Sequence, residues 1–133
     1  MTYWDSSAII AAIQNLELAK KTALPNQATR IHSLAEVFST LTGGRLGIQF
    51  TPNNAAAMID RLTQNFRFVE LNQKETMQAL KQSQARGIRG RRVHYWLHAV
   101  AAKKIGAKEL ITENISDFKG LEDGFKLVKA SRT

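Results

Sequence analysis

Asp5, Glu36 and Asp117 lie far apart in the chain, yet each falls where a strand or helix would aim it into a shared cleft. Carboxylates brought together in this way repel one another unless a cation neutralises them. Hard divalent cations take oxygen ligands, and in phosphoryl chemistry they activate water and steady developing charge. The three acids therefore suggest a metal site assembled by folding. Taken singly, each has a plainer role: Asp5 as the cap of a helix, Glu36 as a polar residue beside an apolar stripe, Asp117 as the cap of a last helical turn over Phe118. Only their joint placement speaks for a site.

The elements that must position these acids read as alternating strands and helices. Residues 2 to 5 form a β-branched and aromatic run, a buried first strand, and Ser6-Ser7 cap a helix carrying Ile9, Ile10 and Ile13 with Leu16 beyond. Lys20 to Asn26 breaks that pattern around Pro25, and an extended piece near Ala28 to His32 follows. Leu34, Val37, Phe38 and Leu41 recur at helical spacing, ended by Gly43-Gly44. Pro52-Asn53-Asn54 opens a helix through Met58, Leu62 and Phe66, Phe68 to Leu71 reads as a strand, and Asn72 caps a helix from Gln73 to about Arg86. Gly90 precedes a helix from about Arg91 to Ile105. Gly106-Ala107 then turns into a strand over Glu109 to Glu113, and Lys126-Leu127-Val128 adds a short strand before the tail frays.

Strands alternating with helices predict an α/β fold, a three-layer α/β/α arrangement around a short parallel sheet. In such sheets ligands bind outside the carboxyl ends of the strands. Asp5 ends the first strand, and Asn114 and Asp117 follow the fourth, so all three fall on that rim.

A chain of 133 residues with 44% hydrophobic content suits one domain with one core, spanning residues 1–133. No stretch approaches the roughly 18 uninterrupted apolar residues of a membrane helix, and the first residues lack the basic flank of a signal peptide. The absence of cysteine excludes disulfides and thiolate zinc sites and fits a cytoplasmic location. Zinc through histidine alone would need all of His32, His94 and His98. Lys and Arg number 19 against 11 Asp and Glu, a balance of +8 that attracts polyanions. Lys81, Arg86, Arg89, Arg91 and Arg92 crowd one stretch, and nucleic acid is the first candidate partner, although a solvated face or a patch for an acidic protein carries the same charge.

Four segments, in order, carry a family resemblance. Tyr3-Trp4-Asp5-Ser6-Ser7, His32-Ser33-Leu34-Ala35-Glu36-Val37, the helix start Gly90 to Ala99, and Thr112-Glu113-Asn114-Ile115-Ser116-Asp117-Phe118 together resemble the motifs of the PIN-domain ribonucleases, and within them the VapC-type toxins of toxin–antitoxin pairs. The resemblance spans nearly the whole chain. It implies hydrolysis of RNA phosphodiesters with Mg2+ or Mn2+, in which Asp5, Glu36 and Asp117 are catalytic and hold the metal with Asn114. It further implies that Ser7 and Thr112 orient the acids and that Arg89, Arg91 and Arg92 hold the RNA backbone. A cognate antitoxin that inserts a segment into the acidic cleft, and a homodimer, are also implied; Trp96 and Phe125 are equally suited to such contacts and to the core.

The chain departs from the family at Tyr95, where the second Asp is expected; no Asp or Glu occurs between Glu75 and Glu109. A phenol with an unperturbed pKa of about 10 is a poor ligand for magnesium. His94 and His98, one turn apart, would favour manganese if they served as ligands, and otherwise read as partly buried, hydrogen-bonded side chains. A catalytically impaired PIN-like domain that binds RNA or a partner protein is the alternative. Gly87-Ile88-Arg89-Gly90 has the form of the RNA-clamping loop of a KH module, but the surrounding order of strands and helices does not suit that fold. Thr42-Gly43-Gly44 lacks the spacing of a dinucleotide loop, and no serine sits in a Gly-x-Ser-x-Gly turn.

Overall fold

The structure is a computed structural model that describes residues 1–44, 47 and 49–132. Its elements in order are β1 (Thr2–Trp4), α1 (Ser6–Ile13), α2 (Leu16–Thr22), β2 (Gln27–Arg30), α3 (Ile31–Thr42), α4 (Pro52–Leu62), β3 (Arg67–Val69), α5 (Gln73–Lys81), α6 (Arg92–Lys104), β4 (Glu109–Thr112), α7 (Ile115–Phe118) and β5 (Lys126–Lys129). All five strands pair in parallel, in the order β3-β2-β1-β4-β5.

Strand β1 is central and buried on both faces, which is why three residues rich in aromatic surface suffice to form it. Tyr3 points to one face and joins a core of Trp96, Ala99, Leu110, Phe118 and Leu121 under α5, α6 and α7. Trp4 points to the other and packs with Ile9, Leu18, Val37, Leu41 and Ile59 under α1 to α4. Burial of each such large side chain contributes roughly 1.5–3 kcal/mol. Trp4 also donates its indole N–H to Gln27 Oε1 at 2.7 Å and stacks on Phe66, so β1 is tied to β2 by a side chain as well as by the ladder. The three-layer α/β/α class expected from the alternation is the observed one.

The chain runs outward from β1 to β3 and then returns to the other side of β1 with β4. This reversal opens a crevice at the carboxyl ends of β1 and β4, where doubly wound sheets bind ligands.

Several boundaries differ from the sequence expectation, each for a local reason. Leu16 does not extend the first helix: the Asn15 side chain caps a separate helix by accepting from the Leu18 N–H at 3.0 Å, and Leu16 is exposed. Strand β2 begins at Gln27 and stops at Arg30, since Ile31 and His32 already belong to α3, and β3 runs over 67–69 rather than 68–71. Helix α5 stops at Lys81, and a 3-10 turn over Gln84–Arg86 continues to Gly87, whose φ of 67° is readily adopted only by glycine. The predicted strand at 126–128 is real, pairs with β4 and is followed by the fully buried Ala130 instead of frayed chain. Trp96 and Phe125 are both core residues. Among the described residues, no helix is long and apolar enough to cross a membrane.

Candidate active site

The crevice beside β1 holds a cleft of about 180 Å³ lined by Asp5, Ser6, Glu36, Arg91, His94, Tyr95, His98 and Asn114. Asp5 reaches it because β1 ends one residue earlier, and the backbone of Asp5 is extended while it caps α1. Its Oδ1 accepts from the Ala8 N–H at 2.9 Å and from the Ser7 hydroxyl at 2.7 Å; its Oδ2 accepts from the Thr112 hydroxyl at 2.6 Å. One carboxylate therefore both caps α1 and lines the cleft. Ser7 and Thr112 orient it as expected, and they are themselves fixed, since Ser7 Oγ accepts from the Glu113 N–H and Thr112 Oγ1 from the Asn114 N–H, each at 2.9 Å.

Glu36 comes from the middle of α3, which crosses on the opposite side of the sheet from α6, and the two helices meet at the rim. There Glu36 Oε1 lies 3.0 Å from His98 Nε2, and the other ring nitrogen of His98, Nδ1, lies 2.6 Å from the Tyr3 hydroxyl. His98 is buried, so the plain reading of a hydrogen-bonded core histidine holds for it; His94 is exposed on the cleft wall. Sequence reasoning did not single out Tyr3, and its link to His98 spans 95 residues, which no local pattern signals.

Electrostatics divide the two carboxylates. Burial pushes the Asp5 carboxyl above its usual range, against the lowering influence of His98 and the three hydrogen bonds. Burial also raises Glu36, but the His98 hydrogen bond and the charges of His98, His32 and Arg30 together outweigh it, and its net shift is downward. Burial first, then the charge of Asp117, raises the Tyr95 phenol, which therefore stays neutral. Two acids in one cleft pushed in opposite directions are the arrangement expected of groups with different tasks.

Asp117 departs from expectation. It is exposed and does not line the cleft; Tyr95 lines it instead, packed edge-on against Phe118 with ring centroids 5.2 Å apart and its phenol facing Asp117. Among the described residues, no group of three or more His, Asp or Glu is arranged to hold a metal ion. The donor set still suits magnesium or manganese bound sparingly, because such an ion commonly takes one or two protein carboxylates and completes its shell with water and substrate phosphate. Asp5, Glu36 and the Asn114 amide supply that number.

The three arginines separate. Arg91 lines the cleft; Arg89 is exposed in the loop between the left-handed glycines Gly87 and Gly90; Arg92 donates from Nη2 to the Lys119 carbonyl at 2.7 Å, tying α6 to the end of α7.

Fold and cleft together define a three-layer α/β/α domain with a carboxylate-bearing crevice at the switch point of its sheet. No protein-family model matches the chain, and no curated protein matches it. Among solved structures it is similar to a chain of VapBC-1 from nontypeable Haemophilus influenzae, with a TM-score of 0.67 and 18% identity over 98% of this chain and 99% of that one. At that identity the likeness is one of fold.

Proposed function

We propose that the protein is a PIN-type ribonuclease of the toxin kind, hydrolysing RNA phosphodiesters in the cleft beside β1. The observation that carries the reading is the convergence of Asp5, Glu36 and Asn114, from three separated segments, on one cleft whose wall also bears Arg91. An isolated helix cap at Asp5 would require none of the others.

A magnesium or manganese ion held by Asp5, Glu36 and the Asn114 amide would supply an activated water and charge neutralisation at the phosphate. The chain's own residues set the geometry. Ser7, Thr112 and the Ala8 N–H aim the Asp5 carboxylate, leaving Oδ2 with one hydrogen bond where Oδ1 has two. Arg91 places a permanent positive charge beside the scissile phosphate, and Arg89 extends the basic rim along the RNA backbone, contributing affinity without reading sequence. Tyr95, neutral and hydrogen-bonded to Asp117, stands on the cleft wall in place of a carboxylate that would repel a phosphate.

Support for a protein partner comes from the motifs shared with VapC-type toxins and from the fold likeness to VapBC-1: an antitoxin segment would enter the same cleft, and a homodimer is the expected assembly. The reading is tested by incubating a mixed RNA pool with the purified protein in magnesium, in manganese and in excess chelator. Metal-dependent cleavage absent from Asp5→Ala is expected. Undiminished cleavage by Asp5→Ala would place the chemistry elsewhere, and RNA binding without cleavage in any metal would favour the impaired PIN-like alternative.

A further inference from the structure

We propose that His98, anchored by Tyr3, is the positioning residue of Glu36, fixing one carboxylate oxygen from behind so that the other faces the cleft in a single orientation. The proposal rests on the reading of the cleft as a hydrolytic centre, and it concerns a pairing of Tyr3 with His98 that no motif of the chain signals.

His98 sits on α6 beside Ala99 and Ala102, among apolar neighbours, where an aliphatic side chain would pack without any polar demand. Instead both ring nitrogens are engaged, Nδ1 with Tyr3 and Nε2 with Glu36 Oε1. Tyr3 is fully buried and its phenol pairs with Nδ1, while Nε2–H donates to the carboxylate, as it can from either the neutral or the charged ring. The chain of contacts goes further back. The Ser33 hydroxyl lies against the Tyr3 phenol and 2.8 Å from Thr29 Oγ1, which accepts from it while donating its own hydrogen to the Trp4 carbonyl at 2.7 Å. No buried side-chain polar atom among the described residues lacks a partner, so this is a complete network linking β1, β2, α3 and α6.

The network ends at Glu36: Asp5 is aimed by Ser7, Thr112 and a backbone N–H, whereas among the described residues the side-chain carboxylate of Glu36 is hydrogen-bonded by His98 alone. Glutamate has a longer, freer side chain than aspartate and sits mid-helix, where His32 and Arg30 act on its carboxylate by charge without fixing its orientation through a hydrogen bond. An anchored ring on the facing helix does so. Ligand carboxylates held by such outer partners typically lose about 10–100-fold in metal affinity or activity when the partner is removed.

The test begins without metal, by measuring three-bond scalar couplings about χ1 and χ2 of Glu36 in the parent, His98→Leu, His98→Gln and Tyr3→Phe. One rotamer is expected in the parent, averaging in His98→Leu and partly in Tyr3→Phe, and a single rotamer again in His98→Gln, whose amide can donate from the place of Nε2. Tyr3→Phe keeps the ring and removes only the hydroxyl, so it reports even if His98→Leu does not fold. Couplings in His98→Leu or Tyr3→Phe equal to those of the parent would overturn the proposal. Manganese titration then gives a second reading: affinity about tenfold weaker in His98→Leu, near the parent value in His98→Gln. Equal affinity in all variants, or direct coordination of bound manganese by an imidazole nitrogen seen by spin-echo spectroscopy, would also overturn it. Failure of the parent to bind manganese would count against the metal reading, while the couplings would still decide the role of His98.

Discussion

At the scale of residues, the two cleft carboxylates should respond to neutralisation with opposite signs. Folding raises the Asp5 pKa, mainly through burial, so the contribution of this group to stability is greatest below its unfolded pKa and is lost as pH rises through the raised value. At neutral pH the charge of Asp5 is a cost, and Asp5→Asn should stabilise the fold by about 1 kcal/mol while removing activity. Folding lowers the Glu36 pKa, so its contribution is present above the unfolded pKa and disappears as pH falls through the lowered value. Glu36→Gln should therefore destabilise at neutral pH, on the order of 1 kcal/mol for a charge-assisted hydrogen bond. Urea unfolding of both variants at about pH 7 and at successively lower pH checks the signs, with Glu36→Gln approaching the parent only as pH falls through the lowered Glu36 value. Tyr95→Asp should restore a third acid beside Asp117 and tighten manganese binding; a titration showing unchanged or weaker affinity would mean that the cleft does not hold the ion at this position.

The local motifs around Asp5 and Thr112 were readable because the partners are near neighbours in sequence or lie at strand ends that a parallel sheet must juxtapose. Ser7 bonds Asp5 two residues away, and Thr112 reaches it because β1 and β4 pair in register. The Tyr3–His98–Glu36 chain was not readable: its links span 95 and 62 residues and join helices from opposite layers. The exposure of Asp117 was equally hidden, since the sequence shows Tyr95 but not that its ring packs on Phe118 with its phenol against Asp117.

At the scale of elements, the alternation of strands and helices was legible and their ends less so. Asn15 reads in sequence as one more polar residue of a helix, yet its side chain starts a new one. Asn72, in contrast, was recognisable as a cap, and it forms a full capping box: its Oδ1 accepts from the Glu75 N–H at 2.8 Å, and Glu75 Oε1 accepts from the Asn72 N–H at 2.9 Å. Lys104 joins Glu75 at 2.7 Å and binds α6 to the same corner. Asn72→Ala should cost about 1 kcal/mol in denaturant unfolding and leave RNA cleavage unchanged, because this corner is not part of the cleft. A loss of cleavage equal to that of Asp5→Ala would show that the start of α5 belongs to the site.

At the scale of the whole molecule, the excess of eight positive charges is the feature the fold uses least for its own cohesion. Several surface pairs, among them Lys103 with Asp123 and Lys104 with Glu75, match charges one to one in exposed contacts worth little each and leave the excess intact. Arg89 and Arg91 remain at the cleft end of α6, where polyanion binding should be steeply salt-dependent. Arg91→Ala should weaken single-stranded RNA binding and lower the slope of log affinity against log salt by about 0.7. Arg92→Ala should leave that slope near the parent value and lower thermal stability, since its guanidinium holds the Lys119 carbonyl. Equal slopes for the parent and Arg91→Ala would remove Arg91 from the RNA path.

The central claim is that one cleft both holds RNA and cuts it, with Asp5 in the second task. The most direct measurement follows binding and cleavage of the same RNA by the parent and by Asp5→Asn, side by side in manganese. The account predicts that Asp5→Asn, folded and at least as stable, binds the RNA as the parent does and leaves it whole while the parent cleaves it. Cleavage by Asp5→Asn at the parent rate would contradict the account.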